Sequence, residues 1–197
     1  YAGRVAIVTG STSGIGLGIA RAFAAQGAHV MLNGLGDTAE IEALRDRMQR
    51  EFGVQVRYSG ADMSRPEQIR DLAAIAAAEF GQVDIVVNNA GIQHVAPVDE
   101  FPDAKWDAVL AINLSSAFHL IKAVLPGMKQ RRFGRIVNVA SAHGLTASPF
   151  KSAYVAAKHG LIGLAKTVAI EVAEHGITCN TICPGYVKTP LVDRQIA

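Results

Sequence analysis

The segment VAIVTGSTSGIG, residues 5–16, joins a short apolar run to a glycine-rich loop, and an apolar-periodic stretch begins directly after it. The run is typical of a buried parallel strand, and the stretch of a helix. Gly10 permits a tight turn, Gly14 lets backbone N–H groups approach a pyrophosphate, and Gly16 lets the helix lie close to the strand. Because a helix N-terminus favours negative charge, the segment indicates a dinucleotide site. A glycine triplet by itself can also be an ordinary turn.

Short β-branched runs alternate with alanine-rich helical stretches along the rest of the chain, which indicates repeating βα units on a parallel sheet. Strands are predicted at Val5–Thr9, Val30–Asn33, Val54–Ser59, Ile85–Asn88, Arg135–Ala140 and Ile177–Ile182. Helices are predicted at Ile15–Gln26, Thr38–Phe52, Pro66–Phe80, Trp106–Gln130 and Ala153–His175. Right-handed crossovers would cover both faces of the sheet, so we expect one doubly wound α/β domain of Rossmann type over residues 1–197. Its ligands should bind where the strands end.

The composition argues against several classes of protein. Half of the 197 residues are apolar and 18% are charged, which is enough apolar material for a core. The net charge of +2 comes from scattered residues without a basic block, so neither nucleic acid nor a membrane surface is an expected partner. The apolar runs have the length of strands, well short of the roughly 20 residues of a membrane span. The first strand leaves no room for a secretory signal, which favours a cytoplasmic setting.

The two cysteines, Cys179 and Cys183, do not have the spacing of a metal-binding pair, and no second pair completes a site. We expect both to be buried small side chains and expect no metal.

Tyr154 and Lys158 are four residues apart in a predicted helix, so their side chains share one face. A tyrosine keeps its proton at neutral pH because its reference pKa is about 10. A neighbouring ammonium favours the phenolate, so we expect Lys158 to lower the tyrosine pKa and to prepare it for general acid–base catalysis. Taken alone, such a pair is more often a surface feature.

Two further polar residues have positions that suit chemistry. Ser141 follows the fifth predicted strand, where its hydroxyl can point at a substrate oxygen or merely close a turn. Asn113 lies inside a predicted helix, where asparagine has poor propensity and therefore needs a reason to be present.

The GxxxGxG spacing of residues 10–16, the sequence NNAG at 88–91, the YxxxK pair and the PG pair at 184–185 resemble the short-chain dehydrogenase/reductase family. The resemblance extends along the whole chain and implies hydride transfer between a nicotinamide ring and a small alcohol or ketone. The residues that match the family's catalytic tetrad are Asn113, Ser141, Tyr154 and Lys158.

Each member of this tetrad has an implied role. Tyr154 exchanges the hydroxyl proton, and Ser141 hydrogen-bonds the reacting oxygen. Lys158 lowers the tyrosine pKa and holds the nicotinamide ribose, while Asn113 distorts its helix and holds a water of the proton relay.

The resemblance also implies a row of cofactor contacts. These residues are Gly10, Thr12, Ser13, Gly14, Ile15, Gly16, Leu35, Asp62, Met63, Asn89, Ala90, Gly91, Tyr154, Lys158, Pro184, Gly185, Val187 and Thr189. On local sequence alone, Asp62 can instead be a turn or helix-cap aspartate, and the NNAG segment an ordinary turn.

The cofactor is expected to be NAD. Family members that use NAD usually carry Asp after the second strand, whereas residues 33–37 here read NGLGD, with glycine at that position. Neither this loop nor residues 11–13 offers a Lys or Arg for a 2′-phosphate, and Asp37 would repel one.

Three loops around the tetrad read GIQH at 91–94, SAHG at 141–144 and KSAY at 151–154. They are similar to the loops of family members that oxidise (R)-3-hydroxybutyrate to acetoacetate. This similarity implies substrate contacts from Gln93, Ser141, His143, Lys151, Tyr154, Tyr186 and Gln195. A short hydroxy acid carries a carboxylate, which needs a cation and several donors once it is desolvated. Lys151 can equally be a solvated residue at a helix start, and His143 a loop donor. Tyr186 replaces a tryptophan of relatives, which leaves the pocket size open.

The resemblance implies two larger features. Family chains continue beyond the position of Ala197, so we expect a C-terminal part of the fold to be absent from this chain and a partial lid to begin near Leu191. The resemblance also implies a homotetramer whose subunits meet through the helices that contain Asn113 and Tyr154. The small residues along the helix of Tyr154 suit such a contact, but they suit packing on the sheet equally well. Two other functions stay open, namely a dehydrogenase for another alcohol and a nucleotide-sensing regulator on the same fold.

Overall fold

The computed structural model describes residues 1–187, and residues 188–197 lie outside that description. Six strands form one sheet in the order β3-β2-β1-β4-β5-β6, with every neighbouring pair parallel. The strands are β1 (Val5–Val8), β2 (His29–Asn33), β3 (Val56–Ser59), β4 (Ile85–Asn88), β5 (Gly134–Val139) and β6 (Ile177–Ile182). This sheet confirms the predicted doubly wound fold. The strand order reverses beside β1, and a crevice opens at such a point at the carboxyl ends of β1 and β4.

Six α-helices connect these strands. They are α1 (Gly14–Ala25), α2 (Thr38–Phe52), α3 (Pro66–Phe80), α4 (Asp103–Leu110), α5 (Ser116–Arg131) and α6 (Ser152–Val172). Local chemistry sets several of their ends. The Asp37 side chain accepts a hydrogen bond from the Glu40 N–H and caps α2, Gly53 ends that helix with φ 66°, and Pro66 begins α3.

The predicted single helix Trp106–Gln130 is wrong in one respect, because a π-helical turn at Ala111–Ser115 separates α4 from α5. Buried residues recur every four positions across this turn, at Val109, Asn113 and Ala117, so hydrophobic periodicity does not reveal it. This turn contains Asn113.

The helices cover both faces of the sheet. On one face Ile7, Val86 and Ile136 pack with residues of α3, α5 and α6, and on the other Val8 and Leu32 pack with residues of α1 and α2. The small residues of α6 that suited either the sheet or a subunit contact are Ala157, Leu161, Leu164, Ala165 and Val168. All are buried except Leu164, which is half-buried. Burial of the other four places most of this stripe in the interior of the fold.

The helical stretch Asp103–Arg131 is long and apolar enough, by length and composition alone, to cross a membrane. The sequence analysis did not predict a stretch of this length and apolarity, because it considered only uninterrupted apolar runs, which have the length of strands. Its residues Leu120, Val124 and Met128 are buried in the core beneath the sheet. One face of the stretch therefore packs in the core, and 39% of its most apolar 18 residues is buried.

Candidate active site

A cleft of about 490 Å³ lies at the carboxyl ends of the strands, within the size range of small-molecule sites. Its walls come from the loops that follow all six strands, together with the start of α6. Every residue between 1 and 187 that the sequence predicted to contact the cofactor lines this cleft. Thr189, also predicted, lies outside the described residues.

The glycine loop between β1 and α1 is held in a narrow space. Gly10 has φ 61°, and a Cβ at Gly16 would collide with the carbonyl oxygen of Gly10. The Asn89 side-chain amide donates to the carbonyls of Thr9 (2.9 Å) and Gly10 (3.0 Å), which fixes the loop from the β4 side. Glycine at these positions leaves the amino end of α1 facing the cleft, where it can accept a phosphate.

Thr9 joins the ends of β1 and β4. Its buried hydroxyl oxygen accepts hydrogen bonds from the N–H groups of Asn89 (2.9 Å) and Ala90 (3.0 Å). The NNAG segment is thus anchored to the strand that leads into the phosphate loop. Sequence reasoning did not identify Thr9, although a polar residue at the end of an apolar strand was the available signal.

Asn33 fixes the opposite end of the cleft in the same manner. Its side-chain amide donates to the carbonyls of Ser59 (3.1 Å) and Ala61 (2.9 Å), and its side-chain oxygen accepts from the Gly10 N–H at 3.3 Å. This fully buried side chain connects the loops after β1, β2 and β3. It was also missed, because NGLGD was interpreted only for its charge.

The residues expected around the adenosine carry no positive charge. Leu35 is 68% exposed at the cleft edge. A Cβ at Gly34 would collide with the Thr12 side chain, so a larger residue there would force Thr12 to move. Asp62 accepts a 2.8 Å hydrogen bond from the Ser64 N–H, and bonding with Ser64 lowers the carboxyl pKa. The turn role of Asp62 is therefore present, and its place on the cleft wall also leaves it accessible to a ligand.

Lys158 extends from α6 to the end of β5. It is 3% exposed, and its Nζ donates a 2.8 Å hydrogen bond to the carbonyl oxygen of Val139. Burial lowers the pKa of this ammonium to about 8. The same Nζ lies 5.5 Å from the centre of the Tyr154 ring, so the two side chains share one face of the helix as the spacing predicted.

Burial raises the pKa of Tyr154, an effect that the neighbouring Ser141 hydroxyl partly offsets. The net shift is thus opposite in direction to the one expected from Lys158, and the effect of Lys158 on this pKa stays a prediction. The upward shift arises because the phenol is itself desolvated. The ammonium directs its hydrogen bond to the Val139 carbonyl.

Ser141 lies between β5 and a short 3₁₀ helix, Ala142–Gly144. Its hydroxyl oxygen accepts a 3.1 Å hydrogen bond from the N–H of His143 and caps that helix. The turn role considered for Ser141 is thus present, and the residue also lines the cleft with Tyr154.

Asn113 lies behind the cleft wall, 2% exposed. Its side-chain oxygen accepts from the Ile92 N–H at 2.8 Å, and its amide donates to the Ile92 carbonyl at 2.9 Å. The predicted helix distortion is present at this residue. These paired bonds attach the π turn to the loop that leads into Gln93, while the water-binding role stays a prediction.

The residues predicted to contact the substrate line the same cleft, namely Gln93, His143 and Lys151 for its carboxylate and Tyr186 for its methyl group. The amide nitrogen of Gln93 is buried without a hydrogen-bond partner among the described residues. Burial lowers the pKa of His143, and the positive charge of Lys151 lowers it further. Gln195 and the expected lid lie outside the described residues.

The cysteines agree with the expectation from the sequence only in part. Cys179 is buried as expected, whereas Cys183 is only half-buried. Within residues 1–187, no group of three His, Cys, Asp or Glu side chains is placed to hold a metal ion.

Comparisons with known proteins agree with this geometry. A family model described as short chain dehydrogenase matches residues 4–197. The chain is 57% identical over 194 residues to the D-beta-hydroxybutyrate dehydrogenase of Cupriavidus necator, covering 98% of this chain and 74% of that protein. It is 55% identical over 193 residues to the enzyme of the same name from Rhizobium meliloti, covering 98% of this chain and 75% of that one.

Among solved structures, a short-chain alcohol dehydrogenase from Sinorhizobium meliloti superposes with a TM-score of 0.91 at 34% identity. The match covers 96% of this chain and 74% of that chain. The present chain thus spans about three quarters of the length of the proteins that it matches.

Proposed function

Because the chain belongs to the short-chain dehydrogenase family of oxidoreductases, we propose that it oxidises (R)-3-hydroxybutyrate to acetoacetate with NAD. The observation that carries this proposal is the convergence of Lys151, His143 and Gln93 beside Tyr154 in one cleft. They provide one cation and two uncharged donors next to a phenol. This is the set of groups that a small hydroxy acid requires.

The other end of the cleft fits a dinucleotide. The amino end of α1, which Gly16 lets lie close to the glycine loop, suits a pyrophosphate, and we assign the ribose of the nicotinamide to Lys158, which lines the same cleft. When bound, the cofactor supplies the acceptor for the hydride. The protein supplies orientation and proton transfer.

We assign the proton transfer to Tyr154. In the oxidation, its phenolate oxygen takes the hydroxyl proton, and the Ser141 hydroxyl holds the reacting oxygen beside it. The raised pKa keeps Tyr154 protonated at neutral pH, which suits the reverse reaction, in which the phenol protonates the ketone oxygen. Lys158 contributes the nearby positive charge that favours the phenolate during alcohol oxidation.

We assign carboxylate recognition to Lys151. Because the pKa of His143 is lowered, its imidazole is neutral near pH 7 and can donate only one of its ring protons. The buried amide of Gln93 is a second donor that the rest of the described protein does not use. The formal charge that balances the carboxylate is therefore that of Lys151.

The choice of NAD over NADP is supported by charge. Lys151 and Lys158 are the cationic side chains among the described residues of the cleft wall, and both belong to the catalytic end. The adenosine end offers Asp62 instead. A 2′-phosphate would thus lose its hydration without gaining a cation.

The proposal includes a homotetramer in the cytoplasm. Trp106, Phe118 and Ile170 are exposed on α4, α5 and α6, and the family resemblance places the subunit contacts on α5 and α6. Light scattering on the purified protein tests the assembly, and a monomer at micromolar concentration would contradict it.

The reaction is tested by following NADH formation with (R)- and (S)-3-hydroxybutyrate and with neutral secondary alcohols. The proposal predicts turnover of the (R)-hydroxy acid well above that of the others. Equal turnover of a neutral alcohol would favour the general alcohol dehydrogenase, and NAD binding without turnover of any substrate would favour the regulator.

A further inference from the structure

A strained residue immediately precedes the carboxylate-binding lysine. Phe150 has φ 64°, which lies in the left-handed region of the backbone angles that residues other than glycine and asparagine rarely adopt. Phe150 forms a turn with Pro149. A proline at the second position followed by a residue of positive φ at the third matches a type II turn, and that third residue is usually Gly or Asn. The Phe150 side chain is 57% exposed, so burial of its ring does not account for the conformation.

The turn connects the two loops that supply the substrate groups. The Phe150 carbonyl oxygen accepts a 3.0 Å hydrogen bond from the N–H of Ala96. Ala96 lies three residues after Gln93 in the loop that follows β4. One backbone hydrogen bond thus sets the distance between the loop carrying Gln93 and the segment carrying Lys151.

The turn also determines how Lys151 approaches the cleft. Lys151 is the last residue before α6, with φ −123° and ψ 35°. It lines the cleft, and its positive charge lies near enough to His143 to lower the pKa of that imidazole. A right-handed residue at 150 would rotate the peptide before Lys151, removing the bond to Ala96 and redirecting the lysine.

We infer that Phe150 is a positioning residue whose left-handed backbone directs Lys151 toward the substrate carboxylate. The inference rests on the proposed function, because it concerns the same carboxylate. It concerns the backbone at 150 and assigns no role to the aromatic ring.

The test uses substitutions that separate backbone preference from side-chain chemistry. Phe150→Gly and Phe150→Asn introduce residues that tolerate positive φ. Phe150→Leu keeps an apolar side chain with the backbone preference of phenylalanine. Phe150→Ile introduces a β-branched residue, which disfavours positive φ. We expect Phe150→Ile to raise KM for (R)-3-hydroxybutyrate about five- to tenfold. The other three variants should stay within about twofold of wild type. Affinity for NADH should be unchanged in all four.

Two outcomes would overturn the inference. If Phe150→Gly and Phe150→Asn raise KM as much as Phe150→Ile does, loss of the phenyl side chain, and not the backbone conformation, causes the increase. If Ile leaves KM at the wild-type value, the left-handed conformation does not position the lysine.

A double-mutant cycle identifies the group through which Phe150 acts. In a Lys151→Ala background, Phe150→Ile should change KM by less than about twofold, because the residue that it positions is already absent. A full multiplicative effect would contradict the inference. Lys151→Ala alone separates the two hypotheses. If it leaves KM unchanged, the proposed carboxylate recognition fails, whereas if it raises KM and Phe150→Ile does not, only the inference fails.

Discussion

The ammonium of Lys158 donates a 2.8 Å hydrogen bond to the carbonyl oxygen of Val139. Val139 ends β5 two residues before Ser141, so this bond links the helix that carries Tyr154 to the strand that positions Ser141. The lysine is 3% exposed, and burial lowers its pKa to about 8. A buried cation with a shifted pKa in a cleft is typical of functional sites.

This burial predicts a dependence of stability on pH. The pKa of Lys158 is about 8 in the folded protein against 10.5 for an unperturbed lysine, so between these values the unfolded chain binds more protons than the folded protein. The contribution of Lys158 to the free energy of unfolding should therefore increase with pH across this interval, by about 3 kcal/mol in total, because the folded protein no longer buries a charge. Lys158→Met lacks the titrating group. Urea unfolding of both proteins at about pH 7 and about pH 10 should show wild type gaining stability relative to the variant. A pH-independent difference would contradict the buried cation.

Tyr154→Phe should remove nearly all activity, because it deletes the transferable proton and little else. General acid–base catalysis contributes about 10²- to 10⁴-fold, and we expect a loss of kcat of that size. NADH affinity, measured by fluorescence titration, should stay within about twofold of wild type. Retention of near wild-type turnover would exclude Tyr154 as the proton donor and acceptor.

The raised pKa of Tyr154 predicts opposite pH profiles for the two directions of the reaction. Alcohol oxidation requires the phenolate, so its kcat/KM should increase with pH toward the alkaline range. Ketone reduction requires the phenol, so its kcat/KM should stay level at neutral pH and decline at high pH. Steady-state rates over this range check both profiles. A tyrosine that does not limit catalysis would leave oxidation independent of pH.

Cofactor choice can be tested at Leu35, which is 68% exposed and lines the adenosine end of the cleft. Wild type should prefer NAD. Leu35→Arg adds a cation for the 2′-phosphate and should raise kcat/KM with NADP about tenfold or more, since charge-assisted hydrogen bonds contribute about 1.5–3 kcal/mol. Leu35→Gln, similar in length but uncharged, is the matched control and should change it little. Efficient use of NADP by wild type would refute the assignment.

Much of the fold could be predicted from sequence because the information is local. The strand β4 and the helices α2 and α3 have the predicted bounds, since apolar patterning coincides there with end signals such as Asp37 and Pro66. The π turn could not be predicted, because the buried residues of the helix recur every four positions across it.

Other properties of the site depend on tertiary packing. The pKa of Tyr154 follows from its burial, which the Ser141 hydroxyl partly offsets, and the YxxxK spacing contains neither effect. The positive φ of Phe150 is similarly hidden, because Pro149 signals a turn without specifying that phenylalanine takes the left-handed position.

The central claim is that the site recognises a carboxylate through Lys151, and one comparison tests it directly. kcat/KM of wild type and Lys151→Ala is measured with (R)-3-hydroxybutyrate and with 2-butanol, which keeps the secondary hydroxyl but lacks the charge. Loss of one charge-assisted hydrogen bond should lower kcat/KM for the hydroxy acid roughly ten- to a hundredfold and leave 2-butanol nearly unaffected. An equal effect on both substrates, or wild-type oxidation of 2-butanol as efficient as that of the hydroxy acid, would contradict carboxylate recognition.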